Sequence, residues 1–296
     1  PDIWVQITVP NEFQKIGKYN IGVTAGTEGD IAPQEWIESI NKMQLIIVPS
    51  EFTKQGFTNA KFEFQDEKTG QKGEVKTVKP MEVLFEGVDT NEYFETTDMD
   101  GDITEAFNKV DNDWNFLFTG HWLQGKVGED RKDISMLIKV FCETFKNKKN
   151  SPGLILKTSS ATFSVLDRED MLKKIKSVTK TVKGDLPKIH LLHGELTDNQ
   201  MNQLYNHPKV KAHVSFTHGE GFGRPLLEAC QSGKPVIASG WSGQVDFLHK
   251  NYAVLLGGSL GKVPKGSFPK EMLFDESQWF TVNYQQASQV LMDVFN

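Results

Sequence analysis

Residues 212–230, "AHVSFTHGEGFGRPLLEAC", read without interruption as an apolar strand, a glycine turn and a helix opened by Pro225. An apolar strand feeding a helix through a short turn belongs to a parallel sheet covered on both faces, because a parallel partner strand is reached only by a crossover. The same rhythm runs through the chain. Strand-like runs fall at Ile3 to Val9, Ile21 to Ala25, Gln44 to Ser50 and Met81 to Gly87, then at Trp114 to Gly120, Gly153 to Ser159, Lys188 to Gly194, Pro235 to Gly240 and Tyr252 to Gly258. Helix-like segments lie between them, which predicts an α/β chain with parallel sheets. At 296 residues the chain fits two domains. The acidic stretch "TTDMDGDITEAFNKVDND", Thr96 to Asp113, reads as a solvated linker between an N-terminal domain at 1–110 and a C-terminal domain at 111–296.

Local signals place individual elements. Ile134, Leu137, Ile138, Phe141 and Phe145 form one apolar stripe at helical spacing. "LTDNQM" presents Thr197 and Gln200 as a capping box with Leu196 and Met201 as a staple, and Gly233 with Pro235 closes the helix that Pro225 opens. Asp98 and Asp100 form a D-x-D pair that could hold a metal. The calcium-loop reading fails because glycine stands at the fourth position and Lys109 at the twelfth.

Charge excludes some functions. With 33 Lys and Arg against 39 Asp and Glu, the net charge is −6, which argues against nucleic-acid binding by bulk counterion release. No apolar run approaches the roughly 20 residues of a membrane span. Lys173, Lys174, Lys176, Lys180 and Lys183 read as a solvated helix face, with peripheral contact to anionic lipid left open. Cys142 and Cys230 both fall on apolar helix sides, which speaks for a reducing, cytoplasmic setting. The chain opens on Pro1 directly in a strand-like alternation, and the N-terminal half offers only about four strands, short of the roughly six of a complete Rossmann unit, so that this domain reads as truncated.

The glycine turn sits at the carboxyl end of its strand, where open α/β sheets bind ligands. Pro225 at the first helical position leaves the neighbouring N–H groups facing outward, an anion cradle. The dinucleotide fingerprint fails, since its third glycine is Arg224 and no acidic residue ends the next strand. Glu220 and Glu228, eight residues apart, can both face one ligand, with carboxylates for hydroxyls and backbone N–H groups for phosphate. Taken singly, Glu228 could instead serve the helix dipole and Glu220 a solvated turn. His218 could touch a phosphate or be a satisfied structural histidine.

"HGEGFGRPLLEACQSGKPVIASGWSGQVDFL" strongly resembles the E-x7-E signature of the retaining family-four (group 1) nucleotide-sugar glycosyltransferases, whose GT-B fold sets two Rossmann-like domains across a cleft. "RKDISMLIKVF", "PMEVLFEGVDTNEYF" and "IGVTAGTEGDIAPQEWIESINKMQLIIVPSEFTKQGF" extend the resemblance over nearly the whole chain. It implies a retaining hexosyltransferase without metal or other cofactor, using a nucleotide-diphosphate sugar as donor and a glycan or other hydroxyl compound as acceptor. Glu220 and Lys132 would be catalytic, Glu220 beside the donor sugar and Lys132 against the diphosphate leaving group. Glu228 would hold the ribose hydroxyls, with Gly221, Phe222, Gly223, Arg224, His218, Gly120, Ser242 and Gly243 completing the donor site. Where the family has arginine after the strand glycine, this chain has Gly120, His121 and Trp122, so that Arg131 or Arg224 would supply the second cation. Trp241 and Asp246 also depart from the pattern and would reshape the sugar pocket, and residues 1–120 contain no histidine for the acceptor side. The alternatives are a non-catalytic sugar-nucleotide binding protein and a dinucleotide oxidoreductase.

Overall fold

The computed structural model describes residues 1–65, 71–160, 162–267 and 276–296. The N-terminal half carries β1 (Ile3–Ile7), β2 (Tyr19–Val23), α1 (Gln34–Ile40), β3 (Leu45–Val48), α2 (Glu51–Thr58), β4 (Lys61–Gln65), β5 (Lys72–Lys76) and β6 (Met81–Val83). Strands β1-β2-β3-β6 form one parallel sheet in that order, the four strands that the apolar runs predict. Trp36, Ile37 and Ile40 of α1 bury fully with Phe13, Met43, Ile46 and Phe57 to make its core. Strands β4 and β5 pair as an antiparallel hairpin; "KFEFQ" alternates Phe62 and Phe64 with polar residues, but its partner "KGEVK" offers only Val75, and the pair was not read from the sequence.

The C-terminal half begins with α3 (Gly101–Asn108), followed by β7 (Asn115–Thr119), α4 (Ile134–Phe145), β8 (Gly153–Lys157), α5 (Val165–Thr179), β9 (Ile189–Leu192), α6 (Asp198–Asn206), β10 (Val210–Ser215), α7 (Arg224–Cys230), β11 (Val236–Ser239), β12 (Ala253–Leu256), β13 (Gly258–Lys262), β14 (Gln278–Val282) and α8 (Tyr284–Phe295). Its sheet is wholly parallel in the order β12-β11-β10-β7-β8-β9. That is the doubly wound order of a Rossmann unit, with the direction of winding reversed between β7 and β10. The predicted stripe of α4 is entirely buried, and the capping box of α6 forms with both of its hydrogen bonds. Antiparallel β13 and β14 extend the fold beyond the strands read from the sequence.

The stretch read as a solvated linker is a packed element. Asp100 caps α3 by accepting from the N–H of Ile103 at 2.9 Å, which gives its carboxylate a structural role at the helix start. Ile103 and Phe107 are buried against the C-terminal core, four residues apart on one face of a short acidic helix. The surrounding acidic residues hid that pair. On α5, Lys173 and Lys176 are exposed, and Lys180 and Lys183 are exposed at and beyond its end, while Lys174 pairs with Asp170 and donates to the carbonyl of Trp122. Among the described residues, no helix is long and apolar enough to cross a membrane.

The two halves meet at the carboxyl ends of their strands. Ser50, the N-cap of α2, donates to the carbonyl of Gly221 at 2.5 Å, and Thr53 donates to the same oxygen at 3.2 Å. Asp246 accepts from the N–H of Glu51 at 2.8 Å, and Phe52 meets Trp241 edge-on at 4.7 Å between ring centres. Phe85 packs on Phe222 at 5.0 Å. Trp241 and Asp246, expected to reshape a sugar pocket, therefore join the halves, Asp246 as an acceptor at the start of α2.

Phe107→Ala is expected to cost about 3–5 kcal/mol in a denaturant melt, the range for emptying a buried aromatic site. A loss below about 0.5 kcal/mol, typical of a solvated surface position, would contradict the packed helix.

Candidate functional site

Strands β7 and β10 are neighbours whose following helices lie on opposite faces, so the loops after them part and leave a crevice. The loop after β7 delivers Arg131 and Lys132. Asp130 anchors it by accepting from the N–H of Ile134 at 2.8 Å and from the hydroxyl of Ser135 at 2.5 Å. Asp133, at φ 51, turns the chain into α4, and its carboxylate takes the hydroxyl of Tyr284 at 2.6 Å. The loop after β10 delivers Glu220. Its N–H donates to Ser242 Oγ and its carbonyl accepts from Gly243, both at 2.9 Å, so Ser242 and Gly243 fasten the backbone of Glu220.

The two loops meet through charge. Lys132 Nζ donates to Glu220 Oε1, and Arg131 Nη1 lies 3.5 Å from Glu220 Oε2 and 3.3 Å from Glu28 Oε1. Burial pushes the Glu220 carboxyl up, but the Lys132 and Arg131 charges outweigh it and hold the group below its ordinary range. Glu220 and Lys132 are each 8% exposed, so this pair is sealed from most solvent screening. Glu28, on the loop after β2, had no sequence signal beyond a lone acid in a glycine-containing strand end. Of the two arginines left open as a second cation, Arg131 stands beside Lys132, whereas Arg224 is exposed and pairs with Glu228 at 3.5 Å.

Glu228 projects from the first turns of α7, where burial raises its carboxyl, and accepts from Tyr205 Oη at 3.0 Å. It lines a cavity of about 710 Å³ with Glu86, Asp89, Glu92, Asp198 and Arg224. A second cavity, of about 240 Å³, is lined by Gly120, Arg131, Lys132, Lys157 and Pro225. The first turn of α7 contributes Arg224 to the larger cavity and Pro225 to the smaller. One is rich in carboxylates and suits hydroxyl donors; the other is rich in cations and suits phosphate. A ligand touching both Lys132 and Glu228 would cross that turn.

Not every predicted residue reaches this surface. His218 is fully buried beneath the turn, with Nδ1 2.7 Å from the carbonyl of Phe280 and its ring stacked on Trp279 at 4.1 Å. Its backbone N–H donates to the carbonyl of Arg131, so it braces the two loops. Gly223, at φ 97, begins α7 in the left-handed region that disfavours a side chain. Phe222 packs between Phe85 and Phe247, and Gly221 offers its carbonyl to the N-terminal half.

Residues 126–259 match the family model of "Glycosyl transferases group 1". No curated protein matches the chain. Among solved structures, sucrose-phosphate synthase from Thermosynechococcus elongatus is similar with a TM-score of 0.59 at 14% identity, over 95% of this chain and 60% of that one. An E. coli trehalose-6-phosphate protein bound with UDP-2-fluoro glucose gives 0.54 at 10% identity, over 80% and 56%. Anabaena HepE in complex with UDP and glucose gives 0.53 at 16%, over 86% and 59%. These likenesses carry the fold, which is GT-B, and the chain spans between 56% and 60% of the length of the three structures.

The buried pair predicts a measurable coupling. Lys132→Met alone strands a carboxylate and is expected to cost about 3 kcal/mol in a urea melt, while Lys132→Met with Glu220→Leu recovers most of that loss. Additive losses in the double variant would show that the two charges are not coupled.

Proposed function

We propose that this chain binds a nucleotide-diphosphate sugar and transfers its glycosyl group, a hexose, to a hydroxyl acceptor with retention of configuration and without a bound metal. The observation that carries this reading is the division of one crevice by charge: cations at Lys132 and Arg131 on one side of the first turn of α7, carboxylates around Glu228 on the other. A nucleotide sugar has that polarity, with a diphosphate flanked by two sugars rich in hydroxyls. The match of residues 126–259 to group 1 glycosyl transferases supports it.

In this reading the diphosphate meets Lys132 and Arg131, the ribose hydroxyls donate to Glu228, and Glu220 accepts from hydroxyls of the donor sugar. The bond from the anomeric carbon to the phosphate oxygen breaks as the acceptor oxygen attacks from the same face. The acceptor proton passes to the departing phosphate. Negative charge grows on that phosphate, and a lysine fixed beside it before reaction stabilises the transition state more than the ground state. Lys132 is held in such a fixed position by Glu220.

The deciding measurement is a thermal-shift panel of UDP, GDP, ADP, CMP and NAD on the parent chain and on Glu228→Ala. A ligand at 100 times its dissociation constant stabilises by about 2.7 kcal/mol. One nucleoside diphosphate is expected to stabilise the parent, and Glu228→Ala is expected to bind it about 2–4 kcal/mol more weakly through the loss of two charged hydrogen bonds. Stabilisation by NAD alone would favour an oxidoreductase, and binding without turnover of any sugar nucleotide a non-catalytic binding protein. Where turnover is seen, Lys132→Ala is expected to lower kcat more than donor affinity; equal losses would confine Lys132 to ground-state binding.

A further inference from the structure

The loop after β2 is pinned to the C-terminal half on both sides of Glu28. Asp30 donates its N–H to the carbonyl of Gln278 at 3.0 Å and accepts from the N–H of Gln278 at 2.6 Å. A side chain added at Gly219 would collide with the carbonyl of Glu28, and one added at Gly221 with the carbonyl of Ala25, so loop and glycine turn are in direct backbone contact. Between these anchors the Glu28 side chain, 20% exposed, reaches Arg131.

Among the described residues, the ion pairs of this cluster set Arg131 and Lys132 against Glu28 and Glu220. The two carboxylates are not held equally. Glu220 is bonded to Lys132, lies near Arg131 and has its backbone fastened by Ser242 and Gly243. Glu28 has Arg131 as its ion-pair partner and a hydrogen bond from its own backbone N–H, and burial, reinforced by the neighbouring Glu220, raises its carboxyl despite these and the attraction of Lys132. A diphosphate brings at least two further negative charges to the same two cations. The cluster cannot neutralise all of them, and like charges a few ångströms apart in a sheltered site repel strongly. The carboxylate that gives way is the one held by fewer contacts.

On the nucleotide reading given above, we propose that Glu28 is a built-in stand-in for the donor's diphosphate: it occupies Arg131 until a nucleoside diphosphate displaces it, so that a residue of the N-terminal half sets the affinity of a site carried by the C-terminal half. A residue that only braced the halves would act with the opposite sign, since removing a brace loosens the site and weakens binding.

Calorimetric titration of the full chain and of Glu28→Gln with UDP, GDP and ADP separates the two. Glutamine keeps the shape and a hydrogen-bond acceptor for Arg131 but not the charge. The dissociation constant of the nucleotide that binds the parent is expected to fall roughly three- to thirtyfold in Glu28→Gln, with Glu28→Ala changing in the same direction. An unchanged or raised dissociation constant in both variants would overturn the stand-in role while leaving the nucleotide reading intact. Failure of the parent and of both variants to bind any of the three would overturn the nucleotide reading, and the stand-in role with it.

Discussion

Burying a cation beside a strand end is expensive, and the crevice of this protein is organised around meeting that cost for two of them. Lys132 and Arg131 sit where the sheet reverses its winding, largely out of water, and would be untenable without carboxylates in reach. Glu220 answers from the glycine turn and Glu28 from the other half of the molecule. Much of the surrounding architecture serves these positions. Asp130 and Asp133 shape the loop that carries the cations, His218 ties that loop to the glycine turn, and Ser242 and Gly243 fix the backbone of Glu220.

The sheets were legible because their signals are local and redundant. Continuous apolar runs such as "FLF" in β7 and "LIL" in β8, each followed by a helix with one apolar face, leave few alternatives to a parallel sheet. The β4–β5 pair was not read, since "KGEVK" lacks both the run and the alternation and leaves the alternating "KFEFQ" without a recognisable partner. Helix α3 shows a different failure. Its two buried side chains stand among acids that dominate composition, and what decides its burial is the surface of the C-terminal half, which no window of sequence contains.

For the site, Glu220 and Glu228 could be named because a glycine turn at a strand end and an acid pair around a helix start are compact patterns, whereas Lys132 was named only through the family resemblance of "RKDISMLIKVF". The division of the crevice into a cationic and a carboxylate-rich cavity could not, because Lys157, Tyr93 and Asp198 come from separate elements. His218 shows what a motif does not carry: its position beside the turn invites a ligand, while the burial of its ring against Phe280 and Trp279 is set by a distant strand. Glu28 is the clearest omission. It becomes visible only when the two halves are placed together.

The carbonyl of Gly221 accepts from both Ser50 and Thr53, which belong to the other half. Separating the halves strips that oxygen of both hydroxyls at the moment it also pulls Glu28 from Arg131 and Gln278 from Asp30. These losses fall together and are regained only when water or a ligand can reach the exposed groups. The join between the halves and the charged cluster therefore share residues, so that a change in one is felt directly in the other.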